Sequence, residues 1–278
     1  MTRAMVTGAA GQLGSTIVSK LSGTCDVAAF NRAELDLADS PAVLEAAKRS
    51  RPDVIINCAA YNDVEAAEDA AQAALTGNAL AVQALARAAE ETGATLVHYS
   101  TDFVFDGASD RPYVESDPCR PLSTYGMSKL LGEYFALESA GAYVLRVESL
   151  FGGRPAKSSI DKILAAIHAR QPVRVFADRT VTPSFVEDVA AATIQIIERR
   201  PVPGIYHCVN SGVTNWLGVA EEIVGILEVQ ADLVPVKSTE VKLKARRPVY
   251  CALSNRKLFD AGIPMPTWQD ALVRYVSR

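Results

Sequence analysis

The chain has 278 residues, 49% hydrophobic and 22% charged, with a formal net charge of −4. This composition suits a globular protein with one large core, or a core plus a smaller lobe. The acidic balance argues against nucleic acid and membrane surfaces as partners, though not against a small anionic ligand, which needs only a local cluster of donors.

The apolar stretch at the start, Met1 to Thr7, is too short for a signal peptide and runs into a glycine turn. No apolar run approaches the ~18 residues of a membrane span. Ala4–Thr7 reads as a first strand and Gln12–Leu21 as a helix. Asp26–Phe30 is a second strand, and Ala42–Arg51 a helix for which Ser40-Pro41 supplies the start. Pro52 ends that helix before a third strand, Val54–Asn57. An alanine-rich stretch predicts one long helix over Ala73–Glu91, stopped by Gly93. Thr95–Tyr99 is a strand, Ser123 caps a helix running to about Ala140, and Tyr143–Val147 is a strand. Further on, Ser159–Ala169 is helical, Val173–Phe176 extended, Phe185–Arg200 helical and Gly204–Val209 extended. Strands alternating with helices signal βαβ units and a parallel sheet. The expected fold is α/β, a Rossmann-like doubly wound parallel sheet with a small, partly discontinuous C-terminal lobe. Residues 1–152, with 186–208 returning to them, are expected to form the dinucleotide-binding domain, and 153–185 with 209–278 the substrate lobe.

Gly8-Ala-Ala-Gly11-Gln-Leu-Gly14 follows the first strand and opens the first helix. That placement turns a glycine spacing into a dinucleotide site. Glycines let backbone approach a pyrophosphate, and the helix start offers free N–H donors and a positive dipole end. The second strand ends Phe30-Asn31-Arg32. No acid stands there to accept a ribose 2′-hydroxyl, and an arginine suits a 2′-phosphate, so NADP is expected over NAD.

Tyr125-Gly-Met-Ser-Lys129 puts a phenol and an ammonium one helical turn apart on one face. A cation at that distance is expected to lower the tyrosine pKa. Such a pair arises by chance often enough that its surroundings must decide. They do: with the loop spacing Gly-x-x-Gly-x-x-Gly, the chain resembles the extended short-chain dehydrogenase/reductase superfamily. The resemblance implies a catalytic set of Thr101, Tyr125 and Lys129. It places Gly8, Gly11, Gln12, Leu13, Gly14, Asn31, Arg32, Asp36, Leu37, Cys58, Ala59, Ala60, Tyr61, Tyr125 and Lys129 at the cofactor.

Closer motifs run along the whole chain. Pro52-Asp-Val-Ile-Ile-Asn-Cys-Ala-Ala-Tyr61, Ser100-Thr-Asp-Phe-Val-Phe-Asp-Gly107, Asp178-Arg-Thr-Val-Thr-Pro183 and Arg247-Pro248 resemble the dTDP-4-dehydrorhamnose reductase family. This implies NADPH-dependent reduction of a 4-keto group on a nucleotide-linked deoxysugar, in the cytoplasm, and allows a homodimer. Thr101, Asp102, Ser149 and Arg247 are then the substrate residues, with Arg174 and Arg179 as further candidates for the diphosphate. Two positions depart from the family. Ser149 stands where a tryptophan is usual, and Lys157-Ser-Ser-Ile160 replaces an Asn-Phe-Val segment, which leaves the sugar open.

Phe103 follows Thr101-Asp102 where dehydratases of the superfamily carry a glutamate, which argues against water elimination. A sugar-nucleotide epimerase and a non-catalytic NADP-binding regulatory subunit remain alternatives. The five cysteines, Cys25, Cys58, Cys119, Cys208 and Cys251, form no CxxC pair and are expected as buried thiols of a reducing compartment. No metal is expected, since His98, His168 and His207 share no ligand spacing. His98 and His207 are expected as satisfied interior residues, and Glu65, Glu68 and Asp69 as a solvated helix face or helix N-terminal charge.

Overall fold

A computed structural model describes residues 1–277. In chain order the first half comprises β1 (Thr2–Thr7), α1 (Gln12–Leu21), β2 (Cys25–Phe30), α2 (Ser40–Ser50), β3 (Val54–Asn57), α3 (Val64–Ala67), α4 (Ala71–Leu75), α5 (Ala81–Thr92), β4 (Thr95–Thr101), α6 (Thr124–Glu138) and β5 (Tyr143–Val147). The second half follows with β6 (Leu150–Phe151), α7 (Ser159–His168), β7 (Val173–Phe176), β8 (Thr180–Val181), β9 (Ser184–Phe185), α8 (Val186–Arg199) and β10 (Gly204–His207). Last come β11 (Thr214–Asn215), α9 (Trp216–Leu227), β12 (Leu233–Val236), α10 (Arg256–Asp260) and α11 (Trp268–Val276).

Six strands form one parallel sheet in the order β10-β5-β4-β3-β1-β2. Alternate residues of each strand face opposite sides, and both sides are covered. Met5, Ile55, Leu96 and Val144 pack with α2 and α5 on one face. Val6, Ile56, Val97 and Leu145 pack with α1 and α8 on the other. Continuous apolar strands are what a two-sided burial requires. The chain leaves β1 for β2 on one side and returns to β3 on the other, so the crevice at the carboxyl ends of β1 and β3 is the topological switch point.

The remaining strands are short pairs outside this sheet: β7 with β12, β8 with β11, and β6 with β9. They carry α7, α9 and α11 around Phe151, Phe185 and Tyr275, whose rings stack or meet edge to face.

Two expectations about helix starts and continuity need correction. The cap of α2 is Asp39, whose Oδ1 accepts the Ala42 N–H at 3.0 Å; Ser40 and Pro41 already lie in the first turn. The alanine-rich stretch is not one α-helix. Between α4 and α5, Thr76–Leu80 winds as a π-helical turn, and Asn78 in it reaches back to the chain after β3. Alanine content predicts helix but carries no information about a wide turn, which tertiary contacts impose.

α6 is held to the sheet by one buried ion pair. Glu133 on α6 accepts from Arg146 Nε at 2.8 Å and from Arg146 Nη2 at 2.7 Å, and from Ser100 Oγ on β4 at 2.5 Å. Both members are essentially inaccessible, with side chains 2% and 1% exposed. Removing one partner leaves a buried charge uncompensated, which costs far more than a surface pair is worth. Glu133→Ala is therefore expected to lower unfolding free energy by about 3–5 kcal/mol in urea titrations; a loss under about 1 kcal/mol would show that the pair does not clamp the helix.

Candidate active site

The switch-point crevice is a cleft of about 960 Å³. Gly8, Gly11, Asn31, Arg32, Asp36, Leu37, Cys58, Ala59, Ala60 and Tyr61 line it, all singled out from sequence. Gly8 has φ +67, and a Cβ on it would lie 2.6 Å from the Ala59 nitrogen, so β1 and β3 can end this close only with glycine there. Beneath them Asn57 accepts from Thr7 Oγ1 at 2.8 Å and from the Ala59 N–H at 3.1 Å, tying the two strand ends together. Gln12, Leu13 and Gly14 stand behind the loop. Leu13 is buried in the core, and the Gln12 amide donates to the Gly152 carbonyl.

The first turn of α1 has no acidic residue, and its Gly11 cap makes no side-chain hydrogen bond. Its N–H groups and dipole end thus face the cleft without a competing anion, which suits a dinucleotide pyrophosphate. Asp36 accepts from the Ala38 N–H at 3.0 Å, which holds the turn after β2 in shape.

Thr101 ends β4, and its Oγ1 donates to Asp102 Oδ1 at 2.9 Å. Tyr125 sits in the first turn of α6. Ser123 caps that turn by accepting the Gly126 N–H at 3.1 Å, and Glu68 accepts the Thr124 N–H at 2.9 Å. The Phe103 ring meets Tyr125 edge to face at 5.8 Å. The Tyr125 phenol lies close enough to the Thr101 hydroxyl for that group to act on its proton affinity, which brings the two predicted groups together. Lys129 is buried one turn further and donates from Nζ to the Tyr99 carbonyl at 2.5 Å.

The expectation of a lowered tyrosine pKa is corrected. Burial holds the Tyr125 phenol above its ordinary value, and the Asp102 charge adds to this, with the nearby Thr101 hydroxyl easing it. The Lys129 ammonium is turned to a backbone carbonyl, and burial brings its own pKa down to about 8, against the raising effect of Glu133 and Cys58. Without ligand, the phenol keeps its proton at neutral pH.

Beside Asp102 lies a second buried carboxyl that the sequence reading passed over. Glu148 accepts from Ser149 Oγ at 2.5 Å and from Thr182 Oγ1 at 3.1 Å. Ser149 itself adopts φ +44. Burial, then the Asp102 charge, pushes Glu148 up to about 8; burial pushes Asp102 to about 6. Nothing in a strand-end glutamate signals burial, so only packing could reveal it. Asn78 was also missed. It accepts the Tyr61 N–H at 2.8 Å and donates to Ser128 Oγ at 3.0 Å, joining the cleft wall to α6.

The predicted arginines separate. Arg174 is exposed, whereas Arg179 is buried with its guanidinium over the Phe176 ring. Arg247 donates to Glu65 Oε1 at 2.7 Å, and Lys244 pairs with Asp69. Glu65, an acid in the first turn of α3, and exposed Asp69 thus also anchor the segment around residue 245, and Glu68 holds the start of α6. The interior histidines are not fully satisfied. His98 Nδ1 meets Asn57 Nδ2 at 3.1 Å and His207 Nε2 lies 3.5 Å from Arg146 Nη1, yet the other nitrogen of each ring is buried without a partner. Burial holds both rings neutral, His207 down to about 3. Among the described residues, no three His, Cys, Asp or Glu cluster as a metal site.

Glu148 yields a pH prediction. Its folded pKa of about 8 lies above that of a solvated carboxylate, so the folded state binds the extra proton and loses stability as pH rises from about 5 to 8. Glu148→Gln is expected to gain stability relative to the parent across that window, read as diverging urea midpoints at pH 5 and pH 8. Parallel midpoints would mean that Glu148 titrates normally.

The family described as the RmlD substrate binding domain matches residues 2–278. The chain is 37% identical to a dTDP-4-dehydrorhamnose reductase of Mycobacterium tuberculosis over 97% of this chain and 91% of that one. It is 33% identical to a dTDP-4-keto-6-deoxy-D-glucose reductase of Streptomyces niveus, covering 98% and 96%. The crystal structure of a dTDP-4-dehydrorhamnose reductase from Bacillus anthracis in complex with NADP superposes with a TM-score of 0.94 at 30% identity, covering 99% of both chains.

Proposed function

The chain belongs to the RmlD substrate-binding-domain family of extended short-chain dehydrogenases/reductases, and from that premise we propose that it reduces the 4-keto group of a nucleotide-linked deoxysugar with NADPH. The observation that carries the reading is the buried Tyr125 phenol beside Thr101 at the carboxyl end of β4, with buried Lys129 one helical turn beyond. Support comes from the adjoining cleft, where main-chain donors of the glycine loop face the same space as Arg32.

In this reading Gly8, Gly11 and the start of α1 hold the coenzyme pyrophosphate, Arg32 meets the 2′-phosphate, and Asp36 and Leu37 border the adenosine. Cys58, Ala59, Ala60 and Tyr61 form the facing wall. Bound NADPH supplies a hydride to the carbonyl carbon of the substrate. Negative charge grows on the carbonyl oxygen, and Tyr125, protonated beforehand by virtue of its burial, gives it a proton. Thr101 donates a second hydrogen bond to that oxygen. Lys129 offers a cation to the phenolate as it forms, having the Tyr99 carbonyl to leave. Asp102 and Ser149 border the sugar, and Arg247, released from Glu65, reaches the diphosphate.

Residues 1–152 and 186–208 are assigned to the coenzyme and 153–185 and 209–278 to the substrate. We place the protein in the cytoplasm, in keeping with five free thiols among the described residues. A homodimer is the assembly we favour, supported by the exposed apolar side chains Met127, Leu131 and Tyr134 along α6.

Tyr125→Phe is expected to lower kcat by about 10²–10⁴ while the Kd for NADPH stays within a fewfold. NADPH oxidation followed by absorbance with a panel of 4-keto sugar nucleotides tests both. Near-parental turnover by the variant would remove the proton-donor role. Tight NADPH binding without turnover of any panel member would favour a binding subunit instead. Arg32→Ala is expected to weaken NADPH more than NADH in fluorescence titrations; equal weakening would refute the 2′-phosphate assignment.

A further inference from the structure

Lys157 occupies the segment where the chain departs from its family, and the catalytic reading leaves it without a task. It is exposed, lines the same cleft as Gly8, Ala10 and Gly11, and forms no ion pair among the described residues. Its main chain is held on both sides. Before it, the Gln12 amide donates to the Gly152 carbonyl and Ser15 Oγ to the Arg154 carbonyl at 3.3 Å. After it, Ser158 and Asp161 make a reciprocal capping box that starts α7, with the Ser158 N–H donating to Asp161 at 2.6 Å and the Asp161 N–H to Ser158 Oγ at 3.2 Å.

The first two anchors, Gln12 and Ser15, lie on α1, immediately behind the glycine loop. Arg32 and Asp36 lie beyond β2, the edge strand on the opposite side of β1. Arg32 and Lys157 are the two cations among the residues that line the cleft. The cleft's carboxylates are already engaged, Asp36 by the Ala38 N–H and Asp69 by Lys244. The glycine loop supplies only main-chain donors to a ligand that carries two negative charges at its pyrophosphate. A lysine ammonium suits such a group as a compact point charge with three donors.

We propose that Lys157 is a coenzyme-binding residue whose ammonium holds the pyrophosphate at the start of α1. This rests on the reading of the cleft as a dinucleotide site and adds a residue contributed by the segment that otherwise leads to the substrate lobe. The assignment predicts a contact common to NADPH and NADH, in contrast to Arg32, whose contact only NADPH can make.

Kd values for NADPH and NADH, measured by fluorescence titration at fixed salt, test it. Lys157→Ala is expected to raise both by a similar factor of about five to twenty, the range of a partly solvated charge-assisted contact. Lys157→Arg is expected to recover most of the loss, and the gap between parent and Lys157→Ala to narrow with added salt. Unchanged Kd values for both coenzymes would overturn the assignment, as would a loss confined to NADPH, which would move Lys157 to the 2′-phosphate. Because the parent is titrated alongside, its failure to bind either coenzyme would instead overturn the dinucleotide reading of the cleft, and this proposal with it.

Discussion

The site depends on the buried pair of Arg146 and Glu133. Tyr125 and Lys129 are useful only if α6 keeps its height and rotation against the end of β4, and an apolar helix face alone would allow it to slide. The guanidinium fork fixes two oxygens of Glu133 at once, and Ser100, next to Thr101 in sequence, takes the third contact. Helix, strand β4 and strand β5 are thus locked together one turn beyond Lys129. A pair of this kind is costly to desolvate and does not have to add net stability. Its directionality is what an active site built across three elements requires.

A second constraint operates at the cleft. Strand ends β1 and β3 approach until only a hydrogen atom fits between Gly8 and the Ala59 nitrogen. Asn57 and Asn78 then stitch the cleft wall downward to His98 and sideways to Ser128. Asn78 makes these contacts from within the π-helical turn. Coenzyme cleft and catalytic helix are joined through one side chain that belongs to neither.

Burial governs the electrostatics. The phenol of Tyr125 stays protonated and Lys129 sits near the point of losing its proton, because low-dielectric surroundings disfavour charge on each. Asp102 and Glu148 extend the same polar interior, and Ser149, which stands where the family usually carries a tryptophan, donates to Glu148.

Much of this was legible in the order of residues. Local rules suffice for a glycine loop between a strand and a helix, for a serine cap at Ser123, and for a phenol and an ammonium four residues apart. Each depends on neighbours within one turn, and each was found where expected. The parallel sheet was legible for a related reason, since strands buried on both faces read as continuous apolar runs. What lay beyond sequence was every relation across distance. The direction of the Lys129 ammonium, the raised Tyr125 phenol, the burial of Glu148 and the capture of Arg247 by Glu65 join residues tens to hundreds of positions apart. Sequence determined which groups were available and on which helix face they stood; tertiary packing decided which were desolvated and which partner each one met, because proton affinity and ion pairing answer to the nearest dielectric and charge and not to position along the chain.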